Sequence, residues 1–136
     1  IDKQMLRRVI VNLVRNSVQA IRNAKPTVKT TPLGRVRVSA KRESDGSAII
    51  VEDDGPGVPN EALTRVFDPY FTTKTDGSGL GLAIVKKIVV EHGGTIDVGK
   101  STDLGGARFV MHLPHVRSET LAPDAPKSQG VLSKTG

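Results

Sequence analysis

The 136-residue chain has no cysteine and no tryptophan, and its aromatic complement is three phenylalanines and one tyrosine. Without cysteine there is no disulfide, no zinc–thiolate centre and no thiol nucleophile. With so few rings the core must be aliphatic, built from Val, Ile, Leu and Ala. Apolar runs are short as well. None approaches the roughly 20 residues that a membrane span needs, and no secretory leader is visible. The expectation is a soluble, cytoplasmic domain without membrane contact of its own, although a larger parent protein could carry a membrane segment.

Charge is present in moderate excess, with a formal net charge of +6. The tail from residue 118 holds Glu119, Asp124, Lys127 and Lys134 and is neutral, so the whole excess lies in residues 1–117. A nucleic-acid surface would want clustered basic residues interleaved with stacking aromatics. Here the basic residues are scattered, which argues against nucleic acid. A polyphosphate ligand or an acidic partner also suits a positive field.

Periodicity orders the chain. Leu6, Val9, Ile10, Leu13, Val14 and Ile21 recur at helical spacing and predict an amphipathic helix over residues 2–23. Asn12, Asn16 and Gln19 fall on a different stripe of it, and Lys25-Pro26 ends it. Val36, Val38 and Ala40 alternate with Arg35, Arg37, Ser39 and Lys41, the pattern of a half-buried strand. Asp45-Gly46 then signals a hairpin turn. Ala48 to Val51 form an apolar strand that runs into Glu52 and Asp53. Asn60 is placed to cap a short helical turn reaching Val66. A second helix is expected over about residues 80–92, with Leu80, Ala83, Ile84, Ile88 and Val89 inward and Gly93-Gly94 as its stop. Residues 95–100 and 107–113 read as a final antiparallel pair across a loop with Gly105-Gly106, Phe109, Met111 and Leu113 sharing a face. Residues 118–136 lack apolar periodicity and are expected to be a flexible tail. One mixed sheet with helices on one face is the simplest packing.

Four stretches carry chemistry. Asp53-Asp54-Gly55-Pro56-Gly57 puts a carboxylate at the end of an apolar strand, where it can accept a hydrogen bond from an exocyclic amine such as that of adenine. Gly55 and Gly57 remove the Cβ atoms that would block a flat ring. An ordinary turn after a strand has the same composition. Asn12 and Asn16 offer neutral amide oxygens suited to a magnesium ion that keeps water and phosphate as its other ligands; a solvated helix face is the plainer alternative. Gly77-Ser78-Gly79-Leu80-Gly81-Leu82 opens into the second helix, so unobstructed N–H groups and the positive helix end can meet a triphosphate. A dinucleotide GxGxxG fails, because Leu82 and Ile84 stand where glycine or alanine is required, and no P-loop is present. Finally, Phe67, Tyr70 and Phe71 put most of the chain's aromatic rings in one loop, with Lys74 beyond them as a point charge for phosphate.

Taken together, Asn12-Leu13-Val14-Arg15-Asn16-Ser17, Asp53-Asp54-Gly55-Pro56-Gly57, Phe67-Asp68-Pro69-Tyr70-Phe71 and Gly77-Ser78-Gly79-Leu80-Gly81-Leu82 resemble the asparagine, first glycine, phenylalanine and second glycine boxes of bacterial sensor histidine kinases, in order and in spacing. The Tyr70-Phe71-Thr72-Thr73-Lys74 wording looks most like the nitrogen-regulation branch. The resemblance covers about residues 2–113. It implies an ATP-binding catalytic domain with an α/β two-layer sandwich, its sheet mixed and mainly antiparallel, shared with gyrase, the large heat-shock chaperones and the mismatch-repair ATPase. It further implies that Asp53 holds the adenine amine and that Asn16 ligates magnesium, with Asn12 nearby on the phosphate side. Residues 67–81 would be the ATP lid, so that Gly55, Gly57, Phe67, Phe71, Thr73, Lys74, Gly77, Gly79, Leu80, Gly81 and Leu82 line the nucleotide.

On the same resemblance, hydrolytic relatives carry glutamate where Asn12 stands. Asparagine cannot accept a proton at neutral pH, so attack by water is disfavoured while phosphoryl transfer by positioning and charge neutralisation stays open. The alternatives are an ATPase of the same fold, or a module that binds nucleotide without kinase activity. His92, His112 and His115 do not sit in the family's phosphoacceptor setting, so the acceptor is expected on an upstream dimerisation domain of the same protein, with a response regulator as the indirect partner. Two departures stand out. Gln19 stands where many relatives have a lysine, so one phosphate contact is expected to be absent or moved to Arg15 or Lys74. The strand that usually precedes the first helix is absent beyond Ile1, which would leave a sheet edge open.

Overall fold

The computed structural model describes residues 2–24, 34–71 and 81–115. Helix α1 (Lys3–Asn23) begins where Asp2 accepts hydrogen bonds from the N–H groups of Gln4 (2.7 Å) and Met5 (3.3 Å) through Oδ1, an N-cap worth about 1 kcal/mol. Its apolar stripe is the one the spacing predicts, with Val9 and Leu13 fully buried and Leu6, Ile10 and Val14 packed at the margin. Strands β1 (Val36–Glu43) and β2 (Gly46–Asp53) follow as a hairpin, then a single 3-10 turn over Asn60–Ala62, helix α2 (Gly81–Glu91), and a second hairpin of β3 (Thr95–Lys100) and β4 (Ala107–Pro114). The sheet order is β1-β2-β4-β3, and all three pairings are antiparallel.

Alternation decides which face is buried. Ile49 and Val51 of β2, Phe109, Met111 and Leu113 of β4 and Ile96 of β3 point to the helices, where they meet Val9 and Leu13 of α1 and Val85, Ile88 and Val89 of α2. Phe109, paired with Val51 on one side and Val98 on the other, is the largest fully buried side chain. The result is a two-layer α/β sandwich, with both helices on one face of the sheet.

The opposite face is polar and is organised by one residue. Glu52, only 6% exposed, accepts from Arg37 Nη2 at 2.6 Å and from Ser101 Oγ at 3.1 Å, with Arg108 Nε 3.6 Å away. Arg37 also reaches Asp103 at 2.8 Å. The bonds that Arg37 donates to Glu52 and then to Asp103 hold the pKa of its guanidinium above the ordinary value. Three strands and the β3–β4 loop are therefore tied together one residue before the end of β2, and Asp53, the next residue, must point the other way, into the helix layer.

Three local expectations need correction. The β1 face carrying Val36, Val38 and Ala40 is half-buried only at Val36, which packs at the core margin: Val38 is 46% exposed and Ala40 is exposed, because β1 is an outermost strand. The hairpin turn is the pair Ser44 and Asp45, and Gly46 already belongs to β2, opposite Glu43. There a Cβ would run into the Leu113 carbonyl, so close strand approach, not turn conformation, requires the glycine. Asn60 does not cap through its side chain; it is the first residue of the 3-10 turn, after Pro59, and that turn ends at Ala62. The stop of α2 is as expected, with Gly93 at φ 78° and the Gly94 N–H bonded to the Val89 carbonyl at 2.9 Å. The 118–136 tail and the polar loop over residues 25–33 lie outside the described residues.

Because Phe109 joins the two hairpins beneath both helices, Phe109→Ala is expected to destabilise the domain by about 3–5 kcal/mol, read as a lowered midpoint in urea denaturation.

Candidate functional site

Asp53 ends a central strand and is 1% exposed. A carboxylate so placed has to be held by hydrogen bonds. Two backbone donors do this: the N–H of Gly55 at 3.0 Å and the N–H of Ala107 at 3.2 Å, both to Oδ1. Oδ2 takes neither. The next residue does a different job. Asp54 Oδ1 accepts from the Arg35 N–H at 2.8 Å, and the Asp54 N–H donates to the Arg35 carbonyl at 3.2 Å, clamping the start of β1. Of the two consecutive aspartates, the inward one is thus available for chemistry and the outward one is structural.

Glycines make the approach to Asp53 possible. A Cβ on Gly55 would sit 3.1 Å from Asp53 Oδ1 and 3.3 Å from the Ile21 side chain of α1. Gly106 is tighter still: a Cβ there would collide with both the Asp53 side chain and its carbonyl, while the Gly106 N–H donates to that carbonyl at 2.9 Å. Gly57 has φ 79° and lies against Gly106. The carboxylate therefore lies in a cradle of bare backbone, where a flat ring with an amine donor can come close.

Helix α1 supplies the second wall. Asn12 donates its Nδ2 to the Arg8 carbonyl at 2.9 Å, which orients the amide. Its Oδ1 then faces the start of α2, 3.6 Å from where a Gly81 Cβ would be. The asparagine stripe and the end of the glycine-rich loop, far apart in sequence, are thereby brought together. Asn16 lies one turn further along, half-buried. Ser17, next to it, is fully buried, and its hydroxyl has no hydrogen-bond partner. An unpaired buried hydroxyl costs about 1–3 kcal/mol, so the buried stripe of α1 carries one unmet polar group.

The aromatic loop is anchored at its base. Phe67 meets Phe109 edge-on, with ring centroids 6.2 Å apart, and Lys86 of α2 lies 5.3 Å above the Phe67 ring. Arg65 stacks 4.7 Å over Phe71. Tyr70 is 74% exposed at φ 66°, a left-handed conformation that bulky residues rarely adopt. Leu82 packs at the core margin. Thr73, Lys74, Gly77, Gly79 and Leu80 lie outside the described residues. Among the described residues no three His, Asp or Glu side chains gather into a metal site, and no helix is long and apolar enough to cross a membrane.

Two contributors were not singled out from sequence. Gly106 stood only as loop punctuation; the doublet Gly105-Gly106 ahead of an alternating strand was the available signal. Ser17 was passed over although it sits four residues beyond Leu13, on the buried stripe, where a polar residue is out of place.

An antiparallel sheet with two helices on one face, and a buried aspartate at the sheet end opposite an asparagine-bearing helix, define the class as a two-layer α/β ATPase-type sandwich. The chain belongs to the family of histidine kinase-, DNA gyrase B- and HSP90-like ATPases, whose family model matches residues 1–117. It is 36% identical over 134 residues to the nitrogen regulation protein NtrY of Azorhizobium caulinodans, a match covering 98% of this chain and 16% of that protein. It is 42% identical over 113 residues to the sensor histidine kinase ZraS of Escherichia coli O157:H7, covering 83% of this chain and 22% of that one. The chain thus spans less than a quarter of the length of these relatives. Among solved structures, the nucleotide-free catalytic domain of the histidine kinase ThkA superposes with a TM-score of 0.69 at 31% identity, over 84% of this chain and 68% of that domain.

Gly106→Ala is expected to push Asp53 out of its cradle and to destabilise the domain by about 1–3 kcal/mol, as overpacking does. Differential scanning calorimetry against Gly105→Ala, where a Cβ meets nothing within 4 Å but the backbone sits at φ 92°, separates collision from backbone strain.

Proposed function

We propose that this domain binds Mg-ATP and donates its γ-phosphoryl group to a histidine on a separate dimerisation domain of the same protein, in two-component signalling through a response regulator. The observation that carries this reading is Asp53: a carboxylate 1% exposed, fixed through Oδ1 by two backbone N–H groups and approached by glycine backbone on two sides. Such a group accepts from the exocyclic amine of adenine, and a guanine bound in the same orientation would present a carbonyl to it, so that orientation favours adenine. Gly55 and Gly57 leave room for the base. The far end of the nucleotide would then run along α1 toward Asn12 and the start of α2. There Asn16 is the proposed magnesium ligand, and Asn12 lies on the phosphate side. Phe67, Phe71, Thr73, Lys74, Gly77, Gly79, Leu80, Gly81 and Leu82 are proposed to form the lid and phosphate cradle, within a catalytic unit of residues 1–117 followed by a flexible tail.

In the transfer the acceptor imidazole nitrogen forms a bond to the γ-phosphorus as the bond to the ADP oxygen breaks, and ADP leaves. Magnesium would neutralise charge on the phosphates. The protein's part is to hold the reactants in line and keep water from competing. Asn12 is a neutral amide already engaged to the Arg8 carbonyl, so it cannot take a proton from water. That favours transfer over an ATPase of the same fold, and the intact set of four boxes favours it over a nucleotide-binding module without kinase activity.

Titration calorimetry with Mg-ATP is expected to show one site on the chain. Asp53→Asn, which puts an amide where a carboxylate accepts, should weaken it about 10- to 100-fold. No steady phosphate release is expected, and the chain alone should not phosphorylate itself. In the complete kinase, Asn12→Asp or Asn16→Asp should cut autophosphorylation about tenfold or more, by setting a carboxylate against phosphate. Unchanged turnover at saturating ATP would remove both asparagines from the mechanism.

A further inference from the structure

The loop between β3 and β4 grips the end of β2 from both faces. On the helix side, Gly106 donates its N–H to the Asp53 carbonyl at 2.9 Å, and Ala107 donates to Asp53 Oδ1 at 3.2 Å. On the outer side, Ser101 Oγ donates to Glu52 Oε2 at 3.1 Å. Two neighbouring residues of one strand thus hold the two ends of one short loop. Ser101 also shapes the chain between those ends. Its Oγ accepts from the Leu104 N–H at 3.0 Å, its carbonyl accepts from the Gly105 N–H at 2.8 Å, and its own N–H donates to the Gly106 carbonyl at 2.8 Å. The residue is fully buried, so a partner that lost its bond to the hydroxyl would stay unmet. The second outer tie, Arg37 to Asp103, joins exposed side chains and holds the loop weakly.

We propose that Ser101 is a positioning residue for the nucleotide base: from the outer side of the sheet it sets where the Gly106 and Ala107 N–H groups lie, and through them how Asp53 presents its carboxylate. This rests on the ATP reading above. Ser101 touches no nucleotide, and its effect passes along the loop. The leverage comes from the way the carboxylate is held. Of its two backbone donors, Gly55 follows it closely in the same segment, so Ala107 is the donor that ties it to another strand. Gly106, next to Ala107, has no side chain to pack, and a Cβ there would collide with Asp53. Hydrogen bonds must therefore place this stretch of backbone, and the buried side chain that supplies them from within the loop is Ser101. Without the hydroxyl, the Leu104 N–H and Glu52 Oε2 each lose a partner. The loop then relaxes, and the Ala107 N–H draws back from Oδ1. A carboxylate free to turn is no longer pre-set for the adenine amine, and ordering it on binding lowers affinity.

The test is a double-mutant cycle on the chain, with Ser101→Ala and Asp53→Asn made singly and together, and Mg-ATP binding measured by titration calorimetry below the melting temperature of each variant. Ser101→Ala is expected to weaken ATP about 3- to 10-fold in the wild-type background. In the Asp53→Asn background it should cause no further loss, because the carboxylate it positions is gone. Amide hydrogen exchange without nucleotide gives a second readout: in Ser101→Ala, Gly106 and Ala107 should exchange faster, while Met111, further along β4, keeps its rate. If the alanine variant does not fold, Ser101→Cys takes its place, since a thiol fills the slot but hydrogen-bonds weakly. Unchanged ATP affinity overturns the proposal. So does an equal loss in both backgrounds, which puts the effect of Ser101 elsewhere, and so does exchange that quickens equally at Met111, which is general destabilisation. The two levels fail separately. Asp53→Asn that binds ATP as wild type does removes the base pocket itself; a loss there with none in Ser101→Ala removes only the role of Ser101.

Discussion

The site depends on keeping one negative charge out of water. Asp53 is enclosed at the end of β2, and the cost of desolvating its carboxylate has to be met locally. Two backbone N–H groups meet it from different elements, Gly55 from the turn that follows β2 and Ala107 from the start of β4. The bond to Ala107 forms only because the two strands pair in register and because Gly106, beside it, has no side chain to obstruct the approach. The position of the carboxylate is thus a property of the sheet, not of the loop that carries the Asp-Gly signature.

The rest of the domain arranges itself around that point. Glu52 binds the outer face together through Arg37, Arg108 and Ser101 and so fixes the direction of the next residue. Phe109 fills the space beneath the helices and supports Phe67 at the foot of the aromatic loop. Helix α1 presents aliphatic residues to this core and, at its edge, turns Asn12 toward the start of α2.

Much of this was legible in the chain. Helical periodicity marked α1 to within a residue, and the Gly93-Gly94 stop closed α2 where expected, since both depend on local spacing and on one backbone conformation. The burial of Asp53 at the end of β2 was legible because a carboxylate is unusual at the end of an apolar strand. What could not be read was set by distant contacts. Val38 alternates as a buried residue would, but its neighbours across space leave it open on the outermost strand. Gly46 resembled a turn glycine, whereas the Leu113 carbonyl sixty-odd positions away is what requires it. Gly106 is of the same kind, since its importance comes from Asp53 on another element.

Adjacent acids with opposite tasks make this hairpin intolerant of changes in length. The side chains of β2 alternate strictly, so a slip of one position against β4 exchanges the places of Glu52 and Asp53. The arginine-bound Glu52 carboxylate would then face the helices, and Asp53 would lie among the guanidinium groups outside. The two-residue connection at Ser44 and Asp45 sets a second register, that of β1 against β2, which places Arg37 opposite Glu52. An insertion or deletion there would draw the guanidinium away and leave the buried Glu52 carboxylate without its closest partner.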